Sequence, residues 1–269
     1  MKNNNLTKLF NLEKKTIVIT GSSGRLGSQY AKILSMAGAN VVLVDIETKK
    51  NKQLEQYIIK KFKTDPMICK VDISKKTEIE KMKNDVLKKY KTIDVLINNA
   101  FFNPSQSKNS TCPFEEFPLE LWNDVLKINL TGVFLCSQII GKVMKKQKNG
   151  NIINISSIYG LVSPDQRIYG NTKIIKSAMY AVTKSGVLNF TRYLASYWRE
   201  DGIRVNTLSL GGVEENQNII FKKNYSNKTM IGRMAKKDEY VGGLIFLSSN
   251  ASSYMTGSNL VIDGGWTAW

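Results

Sequence analysis

The chain has 269 residues, of which 42% are hydrophobic, and carries 39 lysines and arginines against 22 acidic residues, with no histidine. This length allows a sizeable core, while the lack of histidine excludes histidine metal sites and Ser-His-Asp triads and leaves acid–base chemistry to Tyr, Lys, Asp or Glu. The net charge of +17 suits nucleic acid, anionic lipid or phosphorylated substrates equally. Because the lysines are scattered along the chain, they favour a compositional bias over a binding patch.

Cysteine spacing and hydropathy bear on the compartment. Cys69, Cys112 and Cys136 match neither a zinc pattern nor a disulfide framework, so we expect buried, reduced thiols and no metal. The N-terminus has no apolar stretch of signal-peptide length, and no run of about 18 apolar residues follows it. These features predict a cytoplasmic chain with no membrane partner.

Short β-branched runs alternate with helical patterns along the chain. In order we predict TIVIT, a helix over 24–37 ending at Gly38, VVLVD, a helix over 49–62, MICKVD, a helix over 75–90 and DVLINN. A long helical stretch over about 118–147 follows, then NIINIS, a helix over about 179–199, IRVNTL, a helix near 236–248 and NLVID. This alternation predicts an α/β fold with a parallel sheet of about seven strands, flanked by helices on both faces. Because no linker or repeat interrupts it, we expect one domain over 1–269.

The first predicted strand runs into the glycine-rich segment TGSSGRLG at 20–27. Glycines there permit a sharp turn and close backbone approach, and the free N–H groups of the next helix suit a pyrophosphate. Asp45 closes the second strand 24 residues after Gly21, where a carboxylate is placed to accept hydrogen bonds from an adenosine ribose. The combination predicts a dinucleotide site.

These and later segments resemble the short-chain dehydrogenase/reductase superfamily over nearly all of residues 14–269. The resemblance is carried by TGSSGRLG, Asp72 in KVDIS, INNA at 97–100, NLTG at 129–132, NISS at 154–157, YAVTK at 180–184 and YMTGSNLVIDGG at 254–265. It implies a Rossmann-type doubly wound sheet and hydride transfer between NAD or NADP and a hydroxyl or keto group.

The resemblance also implies roles for individual residues. The catalytic set would be Asn129, Ser157, Tyr180 and Lys184, in which Tyr180 exchanges the proton, Lys184 lowers its pKa and Asn129 positions a water. The cofactor would be bound by Tyr180 and Lys184 together with Gly21, Ser23, Gly24, Arg25, Leu26, Gly27, Asp45, Asp72, Ile73, Asn99, Ala100, Gly212 and Val213.

A second Tyr–Lys pair, Tyr169 with Lys173, has the same spacing of four as Tyr180 with Lys184. Only Tyr180 opens a long amphipathic helical run, and IRVN then ends 22 residues after Lys184, which is the spacing usual in the family. We therefore assign the chemistry to Tyr180. The serine spacing opposes this, because Ser156 precedes Tyr169 by 13 residues, the interval usual in the family, whereas Ser157 precedes Tyr180 by 23. We therefore infer a pocket-side insertion over about 158–179. Tyr169 and Gln166 become candidate substrate contacts.

Cofactor choice depends on Asp45, whose charge suits the free 2′-hydroxyl of NAD. Arg25 replaces the middle glycine of the family loop and offers a guanidinium to a phosphate, which keeps NADP open. Phe101 replaces the glycine usual after INNA, and Leu210 the proline usual before Gly211 and Gly212. The segment 212–230 resembles a substrate lid, whose Lys222 and Lys223 either meet an anion or are solvated.

Substrate and assembly are less constrained by the residues. GRMAKKDEY, DGGWTAW and the insertion resemble oxidoreductases of flagellin-modification and nonulosonic-acid pathways, which implies a sugar or sugar phosphate; a fatty-acyl or aromatic alcohol stays open. The alternative function is a non-catalytic dinucleotide-binding regulatory or scaffold protein. No recognition helix accompanies the charge, so we expect no nucleic-acid partner. The family usually forms homotetramers or homodimers through its two long helices and last strand, and we expect the same here.

Overall fold

The fold is taken from a computed structural model that describes residues 7–104, 112–170 and 176–269. Its strands form the predicted parallel sheet of seven, and their order in it is β3-β2-β1-β4-β5-β6-β7. In chain order they are β1 (Thr16–Thr20), β2 (Asn40–Asp45), β3 (Met67–Lys70), β4 (Val95–Asn98), β5 (Gly150–Ser157), β6 (Ile203–Leu210) and β7 (Asn259–Ile262). The strand order reverses between β1 and β4, which opens a crevice at their carboxyl ends.

Helices cover both faces of this sheet. They are α1 (Arg25–Met36), α2 (Thr48–Phe62), α3 (Lys76–Tyr90), α4 (Leu119–Leu126), α5 (Val133–Gln147), α6 (Ala178–Tyr197), α7 (Ile219–Ser226) and α8 (Val241–Ser248). Side chains of α3, α5 and α6 pack in one apolar cluster, and those of α1, α2 and α8 in another on the opposite face. The sheet is therefore doubly wound.

Three of these helices end on a lysine in a left-handed conformation, a position where glycine is favoured. Lys63, Lys91 and Lys148 have φ of 57°, 70° and 52° and follow α2, α3 and α5 respectively. Only α1 ends on the expected glycine, Gly38, with φ of 88°. The lysine-rich composition thus extends to positions where a side chain raises the backbone energy, while adding positive charge beside the helix C-termini.

The long helical stretch after β4 is continuous but not regular. A π-helical segment, Lys127–Gly132, joins α4 to α5. Among the described residues, Leu119–Gln147 is the one helix long and apolar enough, by length and composition alone, to cross a membrane. Half of its apolar window is buried, and Ile139, Ile140 and Met144 lie in the core cluster on the sheet, so its apolar character is accounted for by packing.

The insertion and the lid pack together at the carboxyl edge of the sheet. Their buried cluster comprises Ile158, Tyr159, Ile168, Tyr169, Tyr225, Met234 and Trp266. Tyr225 of α7 stacks on Trp266 with ring centroids 4.4 Å apart, which ties the lid to the C-terminal segment. Both segments therefore border the same crevice.

Cysteine burial follows the prediction at two positions of three. Cys69 and Cys136 are buried, whereas Cys112 is half-buried. The prediction for Cys112 is wrong because this residue lies on the rim of an apolar pocket, just before the turn Phe114–Glu116, rather than under a helix.

Candidate active site

The glycine loop lies between β1 and α1, against the end of β4. Gly21 has φ of 65°, and a Cβ there would lie 2.7 Å from the Cα of Ala100. A Cβ on Gly27 would lie 2.2 Å from the carbonyl oxygen of Gly21. Larger residues would push the loop off β4, so both positions require glycine.

Asn99 and Thr20 fix this loop through hydrogen bonds. The Asn99 amide donates to the carbonyl oxygens of Thr20 and Gly21, at 2.9 and 3.1 Å. The Thr20 hydroxyl accepts from the backbone N–H groups of Asn99 and Ala100, each at 3.0 Å. The INNA segment therefore lies beside the glycine loop and holds its backbone in place.

Asp45 and Asp72 line the opposite end of the same cleft. The two carboxylate oxygens of Asp45 accept from the N–H groups of Ser23 and Glu47, each at 3.0 Å, which fixes the half-buried carboxylate at the end of β2. Burial raises the pKa of Asp72, but hydrogen bonds from Ser74 and the charge of Lys75 outweigh it and bring the net pKa below the usual value. The Asp72 carboxylate is therefore ionised at neutral pH, and both acids line this end of the cleft.

The remaining predicted cofactor residues lie around the same space. The cleft has a volume of about 980 Å³, and its lining includes Gly21, Ser23, Gly24, Arg25, Leu26, Gly27, Asp45, Asp72, Ile73, Asn99, Ala100, Gly212 and Val213. This collection of glycine backbone, helix N-terminus and strand-end carboxylate has the donors and acceptors that a dinucleotide needs. The residues present therefore fit such a group.

Arg25 differs from its predicted role. Its guanidinium pairs with the carboxylate of Glu215, which lies 190 residues later in the segment after β6. Both side chains are about half exposed, so the pair crosses the cleft at its surface. The sequence predicts that Arg25 contacts a phosphate of the cofactor. It does not predict the pairing with Glu215, because no local pattern links the two positions.

Ser157, Tyr180 and Lys184 meet where β5 ends and α6 begins. The hydroxyl groups of Tyr180 and Ser157 are hydrogen-bonded, and Lys184 donates from Nζ to the carbonyl oxygen of Ile155 at 2.9 Å. The neighbouring Ser156 has a structural contact instead. Its hydroxyl donates to the carbonyl oxygen of Lys184 at 2.9 Å and so joins β5 to α6. The spacing of four brings Tyr180 and Lys184 to one face of α6.

Burial dominates the proton affinities in this group. It raises the pKa of Tyr180 above its usual value, although the hydrogen bond with Ser157 acts in the opposite direction. Burial, together with the charge of Lys176, lowers the pKa of Lys184 to about 8. The expectation that Lys184 lowers the Tyr180 pKa is therefore not met by this arrangement, in which the lysine is directed to Ile155.

Asn129 lies in the π-helical segment and has a different set of contacts from those expected. Its side-chain oxygen accepts from the N–H of Phe102 at 2.7 Å, and its nitrogen donates to the carbonyl oxygen of Phe102 at 3.1 Å. Both ends of the amide are thus used to hold the segment that follows β4. Through this contact Asn129 positions Phe101, whose ring meets the Tyr180 ring edge-on with centroids 5.1 Å apart.

The two candidate substrate residues, Tyr169 and Gln166, line different pockets. Tyr169 is buried, lines the cleft and packs on Phe221 of α7 with ring centroids 5.2 Å apart. Gln166 lines a neighbouring apolar pocket instead, and its side-chain amide is bound to the backbone of Lys176. Gln166, predicted to contact substrate, therefore contacts another residue of the insertion instead. Lys173, the partner of Tyr169 in the alternative pair, lies outside the described residues.

Sequence reasoning missed Lys176. Its ammonium lies over the ring of Tyr180, 4.0 Å from the centroid, and it lines the cleft beside Lys184. A signal was present, because Lys176 precedes Tyr180 by four residues just as Lys184 follows it by four. The spacing alone does not predict a contact between Lys176 and Tyr180, because Lys176 lies before α6 begins and helical spacing does not apply to it.

Comparisons with known proteins agree with this geometry. A family model described as enoyl-(acyl carrier protein) reductase matches residues 22–267. The post-translational flagellin modification protein A of Campylobacter coli is 32% identical over 255 residues, which cover 95% of this chain and 99% of that protein.

Two solved structures show the same fold. A short-chain dehydrogenase of Leptospira borgpetersenii with bound NAD+ is 36% identical, with a TM-score of 0.82 and coverage of 96% of this chain and 94% of that one. A gluconate 5-dehydrogenase of Burkholderia cenocepacia in complex with NADP and tartrate is 28% identical, with a TM-score of 0.85 and coverage of 98% and 99%. The chain therefore belongs to the short-chain dehydrogenase/reductase superfamily of NAD(P)-dependent oxidoreductases.

Proposed function

We propose that this protein is an NAD-dependent oxidoreductase that interconverts a hydroxyl and a keto group on a small, sugar-like substrate. The observation that carries the proposal is the hydrogen-bonded pair of Ser157 and Tyr180, with Lys184 one turn along α6, in the cleft that begins at the glycine loop. This is a proton-transfer group beside a dinucleotide cradle.

Each residue has a part in that reaction. In the oxidising direction Tyr180 takes the proton of the substrate hydroxyl, while Ser157 donates a hydrogen bond to the oxygen as it becomes a carbonyl. Lys184 would hold the nicotinamide ribose, and Asn129 keeps the Phe101 wall in place. A bound nicotinamide would supply the hydride acceptor, so that the alcohol would lose one proton to Tyr180 and one hydride to the cofactor.

Two contacts support NAD over NADP. Asp45 is fixed by the N–H groups of Ser23 and Glu47 with its charge directed to the adenosine end, where it would repel a 2′-phosphate. Arg25, the cation nearest that position in the loop, is paired with Glu215. A guanidinium already neutralised by a carboxylate has less attraction left for a phosphate.

The substrate class draws support from relatives and from the cleft wall. The similar proteins include a flagellin modification protein and a gluconate 5-dehydrogenase, the latter acting on a sugar acid. The aromatic side chains of Tyr159, Tyr169 and Phe221 line the cleft next to Tyr180, and such rings pack on the C–H faces of hydroxylated carbon chains. We further propose a homo-oligomer in the cytoplasm.

The first experiment is a fluorescence titration of the purified protein with NADH and, separately, with NADPH. We expect NADH to bind at least about tenfold more tightly, a difference of about 1.4 kcal/mol. Asp45→Ser should remove most of that preference, because the charge that opposes the 2′-phosphate is gone. Asp85→Ser, at an exposed acid on α3, serves as the matched control and should change neither affinity.

The alternative outcomes are distinct. Tighter binding of NADPH would contradict the cofactor assignment and give Arg25 the deciding role despite its pairing with Glu215. Binding of neither nicotinamide would contradict the enzymatic function as a whole.

A further inference from the structure

Lys176 is held in place by the insertion that sequence analysis identified. Its N–H donates to the side-chain oxygen of Gln166 at 2.9 Å, and its carbonyl oxygen accepts from the side-chain nitrogen of Gln166 at 3.0 Å. This two-point contact fixes the backbone of Lys176 against the turn Gln166–Tyr169. The side chain is therefore presented to the cleft from a defined position.

The ammonium of Lys176 lies at the reacting end of the cleft. It is 4.0 Å from the ring centroid of Tyr180, a cation–π contact, and it lines the cleft together with Ser157 and Lys184. Its charge is close enough to Lys184 to contribute to the lowered pKa of that residue. Two lysines thus converge on one tyrosine.

Within the part of the chain that the structure describes, no carboxylate balances the charge of Lys176. The acidic residues that line the cleft are Asp45 and Asp72, which lie at the far end beside β2 and β3. Among the described residues no acidic side chain pairs with Lys176, whereas Lys222 and Lys228, nearby on the lid side, pair with Glu214 and Asp165. Burial without a partner also lowers the pKa of Lys176 to about 8.

An unpaired, half-buried cation has a desolvation cost that a bound anion offsets. Ser157 and Tyr180 would hold the reacting oxygen of the substrate, so an anion on Lys176 would belong to the same molecule, close to the reacting carbon. A neutral polyol would leave the ammonium without a partner. An ammonium at this position therefore favours anionic substrates over neutral ones of similar shape.

We propose that Lys176 is a substrate-binding residue that recognises a carboxylate or phosphate next to the reacting hydroxyl, so that the substrates are hydroxy acids or phosphorylated polyols. This inference rests on the proposed function and narrows its substrate class. It also gives the insertion a role, since the insertion is what carries Lys176 to Tyr180.

The test uses matched pairs of probes on the protein saturated with NADH. Calorimetric titrations compare D-gluconate with D-glucitol, which differ in a carboxylate, and glycerol 3-phosphate with glycerol, which differ in a phosphate. We expect the anionic member of at least one pair to bind at least about tenfold more tightly than its neutral partner. Which pair shows the difference distinguishes carboxylate from phosphate recognition.

Variants assign the preference to the residue. Lys176→Met should remove the preference for the anion while leaving NADH affinity and the binding of neutral probes unchanged, and Lys176→Arg should retain most of it because the charge is kept. Lys81→Met, at an exposed lysine of α3 outside the cleft lining, is the matched control and should behave as the wild type.

Two results would overturn the inference while leaving the proposed function intact: NADH binding with no preference for either anion, or a preference that survives in Lys176→Met. A protein that binds neither NADH nor NADPH would instead fail the proposed function, and this inference with it.

Discussion

Tyr169 and Tyr180 line the same cleft, but their hydroxyl groups have different surroundings. Tyr180 is hydrogen-bonded with Ser157 and lies on the same helix face as Lys184. Tyr169 lies among the aromatic side chains of the insertion and lid, and burial raises its pKa to about 12. Burial raises the pKa of both phenols, so the difference lies in their neighbours: Tyr180 has Ser157 and Lys184 beside it, whereas Tyr169 packs on Phe221 in the cleft wall.

This difference predicts opposite results for two single-atom deletions. With a hydroxy acid or polyol that the wild-type protein oxidises, Tyr180→Phe should lower kcat by about 10²- to 10⁴-fold, the usual contribution of general acid–base catalysis. Its affinity for NADH, measured by fluorescence, should stay close to that of the wild type. Tyr169→Phe is the matched control, since it removes the same hydroxyl from the same cleft.

We expect Tyr169→Phe to keep most of the turnover, with any change in KM rather than in kcat. If Tyr169→Phe abolished turnover while Tyr180→Phe preserved it, the register assignment from the helix spacing would be wrong.

At the scale of elements, the π-helical segment Lys127–Gly132 connects the core to the active-site wall. Asn129 in this segment holds both the N–H and the carbonyl of Phe102, and so fixes the backbone that follows β4. That backbone includes Ala100, which meets the glycine loop at Gly21. The π-helical segment thus stabilises the backbone on which the glycine loop packs.

Loss of this contact should therefore destabilise the protein as well as the site. Asn129→Ala leaves two backbone groups of Phe102 without their partner, and the free energy of unfolding should fall by at least about 1 kcal/mol in urea denaturation. Asn123→Ala, at an exposed asparagine on the adjoining α4, should change it by no more than about 0.5 kcal/mol. Equal effects of the two variants would show that the amide contact contributes little.

The elements differ in how far their sequence predicts them. The inner strands β1, β2, β4, β5 and β6 are buried over all or most of their length and so appear as β-branched runs, which is why the alternating order gives the sheet correctly. The edge strands β3 and β7 are more exposed. The helix predicted near 236–248 begins instead at Val241. The reason is a local side-chain contact: Glu239 accepts from the N–H of Lys236 and pairs with Arg233, which holds the preceding residues in a turn.

The same distinction applies to the site. The glycine loop and the Tyr180–Lys184 spacing are local patterns, so their positions could be predicted from the sequence. The pairing of Arg25 with Glu215 joins distant segments, and the approach of Lys176 to Tyr180 depends on Gln166 across the insertion. Neither contact leaves a periodic signal. The roles assigned to individual site residues stay predictions until the variants are measured.

For the molecule as a whole, the net charge of +17 says little about the cleft. The cleft has carboxylates at the end beside β2 and β3 and lysines at the end beside α6, and this polarity is set by the single residues Asp45, Asp72, Lys176 and Lys184. Two lysines lie in the last turn of each of α2, α3 and α5, where their charge interacts favourably with the helix dipole. The total charge is therefore consistent with a small anionic substrate without requiring a nucleic acid.

Exposed aromatic and aliphatic side chains on α5 and α6 predict self-association. Phe134 is 43% exposed, and Tyr193 and Tyr197, whose rings stack 6.0 Å apart, are 60% and 59% exposed. Apolar groups left in water on two adjacent long helices gain free energy when a second copy covers them. We expect light scattering to give a mass of two or four chains of 30.3 kDa.

Charged substitutions locate that interface. Phe134→Glu combined with Tyr193→Glu should lower the mass to that of one chain, because four or more carboxylates would meet across a symmetric contact that had been apolar. Tyr57→Glu, at an aromatic residue of α2 that is 45% exposed on the opposite side of the sheet, should leave the mass unchanged. A wild-type mass of about 30 kDa would contradict the oligomer, whereas a double variant that remained associated would place the interface elsewhere, with the C-terminal strand as the next surface to test.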